Sequence, residues 1–407
     1  MENAKNIKFD KILAISLSLF YIITIAGHLK LLDTNFATLN FLFSIIPWVY
    51  LLIKYKPTFQ KQYLFYFVII VLIRCISLLY NSYGDSTYNQ LTNIYYFLSF
   101  LISYVGVFFY YLPNIKDNHI YLKKTCYVCI FFTIVFCLYN IFSNADIIKL
   151  IGSVTDSYNL KLSSFFANRN NFGKFLFFSN VLILFAKKYE YINTRTLIVT
   201  LIITNINLLL SFSRTAIICS LILFVFYIPY KNLKKKKNLL GVALLFIVSV
   251  TLLFLLFNNL SFIDKYFIRS NIGFAGRSEI WDASMSIIKQ NPLLGVGEVQ
   301  SSNKLYLITS NYYYHNSFLK DFSTYGIVDG TMIIFLLIFL FKDLITKIKL
   351  VNIKKYIIGL LLSTLVYSFF EEFIFFGTGF INFMYSFIIF CLIPALINSN
   401  RKDVYEK

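Results

Sequence analysis

Residues 63–80 read YLFYFVIIVLIRCISLLY, an apolar run interrupted by a single charge, Arg74. A run of this length predicts a helix that crosses a lipid bilayer, because about 20 apolar residues span the hydrocarbon core. Similar runs recur along the whole chain. The pattern therefore predicts an all-α polytopic membrane protein.

Twelve such apolar runs are predicted, and they divide the chain into four regions. The runs lie at 12–29, 36–53, 63–80, 92–112, 125–142, 172–186, 196–210, 215–230, 239–257, 326–341, 356–374 and 380–397. We assign helices one to five to 1–142, helices six to nine with a first long external loop to 143–257, a large external loop to 258–325, and helices ten to twelve with a cytoplasmic tail to 326–407.

The composition agrees with a membrane protein. Of the 407 residues, 58% are hydrophobic and 14% are charged, against roughly 25% charged in a soluble domain. These values exclude a disordered chain, a secreted disulfide-rich domain and an ordinary soluble enzyme. A soluble nucleic-acid binder would need a polar surface for the net charge of +19, so we predict no nucleic-acid partner.

The basic residues are unevenly distributed between alternate connections. With the N-terminus inside, 25 of the 38 Lys and Arg residues lie in inside connections, and the twelve outside are balanced by twelve acidic residues. Cytoplasmic loops of membrane proteins carry this excess of positive charge. We therefore predict a multi-pass protein with cytoplasmic N- and C-termini, in which Arg74 is the one charge inside a span.

All six cysteines lie in apolar runs, which indicates small core side chains rather than disulfides. The Cys126-x-x-Cys129 pair has no second pair and no nearby His cluster, so we predict no metal or redox site there.

The large external loop predicts a helix of its own. Apolar residues recur at helical spacing between residues 280 and 288, and Asn291-Pro292 ends the pattern. We expect an amphipathic helix at the outer membrane surface. A helix that packs on the span bundle is compatible with the same pattern.

Four polar clusters fall on the predicted outer side. They read NRNNFG (168–173), SFSRT (211–215), GRSEIW (276–281) followed by PLLGVG (292–297), and HNSFL (315–319) followed by glycines at 326 and 330. Their chemistry is narrow, because three arginines and one histidine stand out among few carboxylates.

Those four residues, Arg169, Arg214, Arg277 and His315, suggest a site for a lipid-linked phosphate or pyrophosphate. Arginine offers a planar, permanently charged fork for phosphate oxygens, and histidine accepts a proton near neutrality. The chain has no Asp-x-Asp motif and no His/Asp/Glu cluster with metal spacing. We therefore predict no metal and no cofactor. An arginine at the end of a span can instead bind lipid headgroups.

The residues of the four clusters and their order along the chain resemble the motifs of the O-antigen polymerase and O-antigen ligase superfamily, over about residues 160–335. The resemblance implies a bacterial inner-membrane glycosyltransferase of GT-C-type architecture, with helices of the external loop over its cavity. It also implies a glycan donor linked to undecaprenyl pyrophosphate, used at the outer face of the membrane without a metal.

The resemblance also implies roles for individual residues. Arg169 and Arg277 would hold the pyrophosphate, and His315 would orient or deprotonate the acceptor hydroxyl. Arg214 and Asn316 match recurring positions and are expected to bind substrate.

Three further charged residues are expected to bind substrate. Glu371 and Glu372 lie at the outer end of the eleventh run, where they pair with an arginine or bind the acceptor sugar. Arg74 either faces the cavity or reaches outward to the membrane surface.

The choice between polymerase and ligase stays open, because one extra residue separates Gly326 from Gly330 relative to the ligase pattern Gly-x-x-Gly-Thr. A polymerase would join the glycan to a lipid-linked repeat unit, with a chain-length regulator and a flippase as partners. A ligase would join it to lipid A core or a protein. A flippase for lipid-linked oligosaccharide is the third hypothesis, although it would need charges along a path through the spans.

Overall fold

The structure is a computed structural model that describes residues 2–29, 46–82, 86–111, 122–144, 162–166, 168–227, 277–346, 348 and 351–372. Within these ranges the regular structure is helical, and no strand occurs. The runs predicted at 239–257 and 380–397 lie outside the described residues.

Helices follow one another along the described chain. In order they are α1 (Glu2–His28), α2 (Lys61–Ser82), α3 (Thr87–Val105, continued by a π-helical turn at Gly106–Tyr111), α4 (Lys123–Ser143), α5 (Arg169–Lys188), α6 (Thr194–Leu210), α7 (Arg214–Tyr227), α8 (Arg277–Gln290), α9 (Glu298–Thr309), α10 (Ser317–Thr346) and α11 (Val351–Phe370). Residues 46–54 are also helical.

Five stretches of the described chain are long and apolar enough to cross a membrane. They are Phe9–His28, Lys61–Asn81, Asn89–Tyr110, Lys123–Ser143 and Ser317–Thr346. Helices α6 and α7 are apolar but shorter. The chain is therefore a helical membrane protein, as predicted from its composition, and the count of twelve spans stays a prediction.

The chain divides into two compact units, and each is built from three separate stretches of sequence. Unit 1 comprises Met1–Leu39, Tyr121–Gly273 and Leu350–Thr364; unit 2 comprises Asn40–Ile120, Phe274–Lys349 and Leu365–Lys407. The four regions predicted from the sequence follow chain order and stay a separate prediction.

Helix α5 is the centre of unit 1. It packs against α4, α6 and α7, and every residue from Phe172 to Ala186 is buried. The helix begins at Arg169 because the Asn168 side chain accepts a hydrogen bond from the Asn171 amide at 2.8 Å, which caps the first turn. Lysines in the last turn complement the negative end of the helix dipole.

The cysteines of unit 1 are core side chains, as predicted. Cys126, Cys129 and Cys137 on α4 and Cys219 on α7 are buried and free of disulfides.

Unit 2 joins two groups of helices. Helix α2 packs against α3 and α10, while α8 packs against α9 and α10. Ile280, Ala283 and Ile287 on one face of α8 form a buried cluster with residues of the following segments. The predicted amphipathic helix is confirmed and packs on other helices, while its place at the membrane surface stays a prediction.

Candidate functional site

The four polar clusters of the sequence associate in pairs, and one pair lies in unit 1. There the NRNNFG and SFSRT clusters meet, since Gly173 on α5 lies so close to the turn before α7 that a Cβ would collide with Ser213. A glycine is therefore required at 173. Arg169 begins α5 one turn before Gly173, and Arg214 begins α7 directly after Ser213. Both arginines are partly buried and interact within the protein.

A second pair of clusters meets in unit 2, through the backbone. The Val296 and Gly297 amides donate to the Ser323 and Thr324 carbonyls at 3.0 and 2.9 Å. The Ile327 amide donates in turn to the carbonyl of residue 292 at 2.7 Å. The PLLGVG segment therefore supplies hydrogen-bond donors and an acceptor to the backbone of α10 where that helix is broken.

The break in α10 occurs at Gly326, which has φ 87° and ψ 172° and so departs from helical geometry. A Cβ at this position would collide with the carbonyl of Leu293. Gly326 is required both for its left-handed φ and for this close approach. The first turns of α10 are thereby fixed relative to the loop that follows α8.

His315 occupies a turn that is tied to the end of α11. The backbone at His315 has φ 48°, in the left-handed region. On one side of it, the Tyr314 amide donates to Glu372 Oε2 at 3.1 Å. On the other side, the Ser317 hydroxyl donates to the Glu371 carbonyl oxygen at 3.1 Å. These bonds hold the His315 turn against the two glutamates.

Asn316 caps α10. Its Oδ1 accepts from the Phe318 amide at 2.9 Å and from the Leu319 amide at 3.0 Å. Asn316 is buried, so its observed contribution is to start the helix that follows His315. Its substrate-binding role stays a prediction.

Glu371 lies between Arg277 and His315. Arg277 Nη2 donates to Glu371 Oε1 at 2.9 Å, and His315 Nδ1 lies 3.6 Å from Glu371 Oε2. Arg277 is the first residue of α8, and its guanidinium lies 6.0 Å from the centroid of the Phe370 ring. The predicted pairing of a terminal glutamate with an arginine is confirmed for Glu371, and the three residues form one cluster.

A buried lysine binds the second glutamate. Lys320 Nζ lies 3.1 Å from Glu298 Oε2 and 3.4 Å from Glu372 Oε1. The Lys320 side chain is only 5% exposed, so the ammonium depends on these carboxylates for its solvation. The Tyr325 hydroxyl also donates to Glu298 Oε1 at 3.3 Å. The network fixes the position of Glu372, which accepts the hydrogen bond from the Tyr314 amide.

Tyr314 anchors the His315 turn from the inside. Its hydroxyl donates to the Ser301 carbonyl oxygen at 2.9 Å. Burial raises the pKa of Tyr314, which keeps the phenol neutral and able to donate.

Arg74 is engaged inside unit 2. Its Nε and Nη2 donate to the two carboxylate oxygens of Asp329 at 3.0 and 2.9 Å. The Phe100 and Tyr325 rings lie 4.1 and 4.0 Å from its guanidinium carbon. The side chain is 2% exposed, so the prediction that it could reach outward is wrong. Its substrate-binding role stays a prediction.

Asp329 also corrects the prediction that Arg74 is the one charge inside a span. Asp329 lies within α10, a candidate span, and is fully buried. A bidentate carboxylate partner satisfies an arginine that burial would otherwise leave unsolvated.

Sequence reasoning missed three charged residues of unit 2, namely Lys320, Glu298 and Asp329. For Asp329 a signal was available, because an arginine within one apolar run calls for a carboxylate in another. Lys320 directly follows the HNSFL motif, which places it one turn after the helix start. Nothing in the sequence around Glu298 predicts that it binds a lysine.

The predicted site residues divide between the two units. Arg169 and Arg214 belong to unit 1, while unit 2 holds Arg74, Arg277, His315, Asn316, Glu371 and Glu372. Of these, the structure brings together Arg277, His315 and Glu371, with Glu372 beside them.

Comparison with protein families supports the resemblance drawn from the motifs. Residues 198–336 match the family described as O-antigen ligase. The matched range contains Arg214, Arg277, His315 and Asn316, whereas Arg169 and the two glutamates lie outside it. No curated protein matches the chain significantly.

Proposed function

We propose that this chain, which its O-antigen ligase match at residues 198–336 assigns to the O-antigen polymerase and ligase superfamily, is a polymerase of a bacterial surface polysaccharide. The observation that carries the proposal is the cluster of Arg277, Glu371 and His315. It combines a cation suited to phosphate with a base for a hydroxyl, which are the two groups that glycosyl transfer from a pyrophosphate requires.

The donor in this proposal is a glycan linked to undecaprenyl pyrophosphate, and the acceptor is a lipid-linked repeat unit. The protein would act at the outer face of the bacterial inner membrane, with twelve spans in a GT-C-type arrangement and both termini in the cytoplasm. A chain-length regulator and a flippase are its expected partners. Polar residues on the outer side would contact the anionic donor, whereas most of the basic residues behind the net charge would lie on the cytoplasmic side.

The proposed step is an in-line displacement at the anomeric carbon. The acceptor hydroxyl oxygen forms the new glycosidic bond while the bond between the anomeric carbon and the pyrophosphate oxygen breaks. Undecaprenyl pyrophosphate leaves with the electron pair, and the hydroxyl proton passes to His315. The configuration at the anomeric carbon is inverted.

Arginines stabilise the leaving group in this scheme. Arg277 contacts a carboxylate at 2.9 Å, which is a hydrogen bond that a phosphate oxygen can also accept. Arg169 supplies the second arginine that the family resemblance implies. Arg214, Asn316, Glu372 and Arg74 keep the substrate-binding roles predicted from the sequence. No metal is expected to be required.

A ligase is the second candidate, because the matched family carries that description. It would use the same donor chemistry and transfer the glycan to lipid A core or a protein. The extra residue between Gly326 and Gly330 departs from the ligase pattern, and the products of a reconstituted reaction distinguish the two candidates. A flippase ranks third, because Arg74 and Asp329, which both lie inside candidate spans, pair with each other.

Reconstitution with a defined substrate tests the proposal. We expect purified protein and lipid-linked repeat units to give a ladder of longer glycans with no added metal and in the presence of EDTA. A single transfer onto lipid A core would favour the ligase. Transport of the substrate between leaflets without chain growth would favour the flippase.

Replacement of His315 tests the proposed base. We expect His315→Ala to lower kcat at least about 100-fold, because a general base contributes about 10² to 10⁴ to a rate. His28→Ala is the matched control, since His28 ends α1 and contacts Tyr139 at 3.3 Å. Normal ladders from His315→Ala would refute the role of the imidazole.

A further inference from the structure

Glu371 forms an ion pair with Arg277, the arginine that binds the donor pyrophosphate in the proposed function. Its Oε1 accepts from Arg277 Nη2 at 2.9 Å, and its side chain is 6% exposed. A carboxylate so far removed from water needs a cation beside it. In the absence of donor, the protein itself therefore supplies the anion at Arg277.

Arg277 retains the capacity to bind a different anion. Among the described residues, Glu371 is the one acceptor recorded for its guanidinium, and that bond uses a single nitrogen of the fork. The Arg277 side chain is 16% exposed, so a ligand can approach it. Carboxylate and phosphate oxygens fit the same guanidinium geometry, and a pyrophosphate carries more charge than a carboxylate.

His315 faces the same carboxylate with one ring nitrogen. Its Nδ1 lies 3.6 Å from Glu371 Oε2, a separation too long for a hydrogen bond. Within the described chain, Nε2 has no recorded partner. If Nδ1–H donates to a carboxylate, the lone pair lies on Nε2 and can accept a proton. A small movement of Glu371 away from Arg277 would complete that bond.

The two adjacent glutamates contact different cations, because Glu371 contacts Arg277 and Glu372 contacts Lys320. Glu372 is held by Lys320 at 3.4 Å and by the Tyr314 amide at 3.1 Å, and Glu298 binds the same lysine. Lys320 therefore already forms ion pairs with two carboxylates, those of Glu298 and Glu372. A pyrophosphate at Arg277 would be repelled by Glu371, and His315 is the nearby group that becomes cationic during the reaction.

We propose that Glu371 is an exchangeable carboxylate that holds Arg277 until the donor pyrophosphate displaces it and then accepts the Nδ1–H of His315. Donor binding thereby prepares the base. As Nε2 takes the proton of the acceptor hydroxyl, Glu371 stabilises the imidazolium. Glu371 is a positioning residue in this scheme, and the inference rests on the proposed function.

Binding of inorganic pyrophosphate to the purified full-length protein tests the displacement without any turnover. We expect Glu371→Gln to bind pyrophosphate about tenfold more tightly, because a neutral amide competes less well for Arg277 than a carboxylate. Glu279→Gln is the matched control, since it removes the same charge from an exposed position on α8. Arg277→Gln should lose the binding. Equal or weaker binding by Glu371→Gln would overturn the proposal.

Glycan transfer tests the second half of the exchange. We expect Glu371→Gln to lower kcat about 100-fold while the KM for the lipid-linked donor stays equal or falls. A structural defect would not lower kcat and tighten donor binding together.

The two readouts separate failure of this inference from failure of the proposed function. An unchanged kcat in Glu371→Gln would overturn the positioning role. Absence of glycan transfer by the wild-type protein would count against the proposed function, and pyrophosphate binding would still decide whether Glu371 is displaced.

Discussion

At the scale of single residues, the Arg74–Asp329 pair allows a structural role of Arg74 to be distinguished from a role in substrate binding. Two hydrogen bonds and two aromatic rings engage the Arg74 guanidinium, and neither partner has appreciable contact with solvent. Removing one member of a buried pair leaves the other charge unsolvated, whereas removing both does not. Stability and substrate binding can therefore be tested separately.

We expect Arg74→Met to lower the free energy of unfolding by about 3–5 kcal/mol, because it leaves Asp329 buried without its cation. The double variant Arg74→Met, Asp329→Leu should recover most of that loss. Thermal unfolding of the purified proteins in detergent measures both effects. A folded double variant with a raised donor KM would instead support the substrate-binding role predicted for Arg74.

The sequence identified the candidate reactive residues, but it did not identify most of the residues that they contact. Arg277 and His315 belong to local motifs, so they can be recognised from a few neighbouring letters. The bond from Arg277 to Glu371 spans 94 positions and the Arg74–Asp329 bond spans 255. Contacts at such separations depend on how helices pack, which hydrophobic periodicity does not specify.

At the scale of elements, the break in α10 explains why a glycine stands at position 326. The predicted span began at residue 326, and the structure places a helical segment before that point as well. Apolar composition identified the part of the helix that follows the break. The preceding segment was missed because its polar residues, such as Lys320 and Asp321, suggested an external loop.

We expect Gly326→Ala to lower the free energy of unfolding by at least about 2 kcal/mol, because alanine disfavours φ 87° and its Cβ would collide with a backbone carbonyl. Gly330→Ala is the comparison, since the atoms nearest to its Cβ belong to the Phe322 side chain rather than to backbone, and Gly330 has no positive φ. Thermal unfolding and the yield of folded protein measure the difference. Similar losses for both variants would contradict the requirement at Gly326.

At the scale of the whole molecule, the distribution of charge predicts the orientation in the membrane. The basic run Lys234–Lys237 should face the cytoplasm, and the loop that carries α8 should face outward. The five candidate spans support a membrane protein without assigning its sides. Orientation depends on how the charged loops interact with the two sides of the bilayer.

Fusions to alkaline phosphatase test this orientation, because the enzyme is active only outside the cytoplasm. We expect high activity from a fusion after Gln290 and low activity from fusions after Lys237 and Lys407. Immunoblotting should confirm equal expression of the three fusions. High activity at the C-terminus would contradict the predicted topology.

The interleaving of the two units has a consequence for biosynthesis. Unit 1 needs residues up to Thr364 and unit 2 needs residues beyond it, so neither unit is complete until residue 364 has left the ribosome. Glu371 emerges after both groups that it contacts. At about 5–20 residues per second, Arg277 and His315 wait several seconds for their carboxylate. The nascent chain therefore acquires its reactive cluster only after residue 371 has left the ribosome.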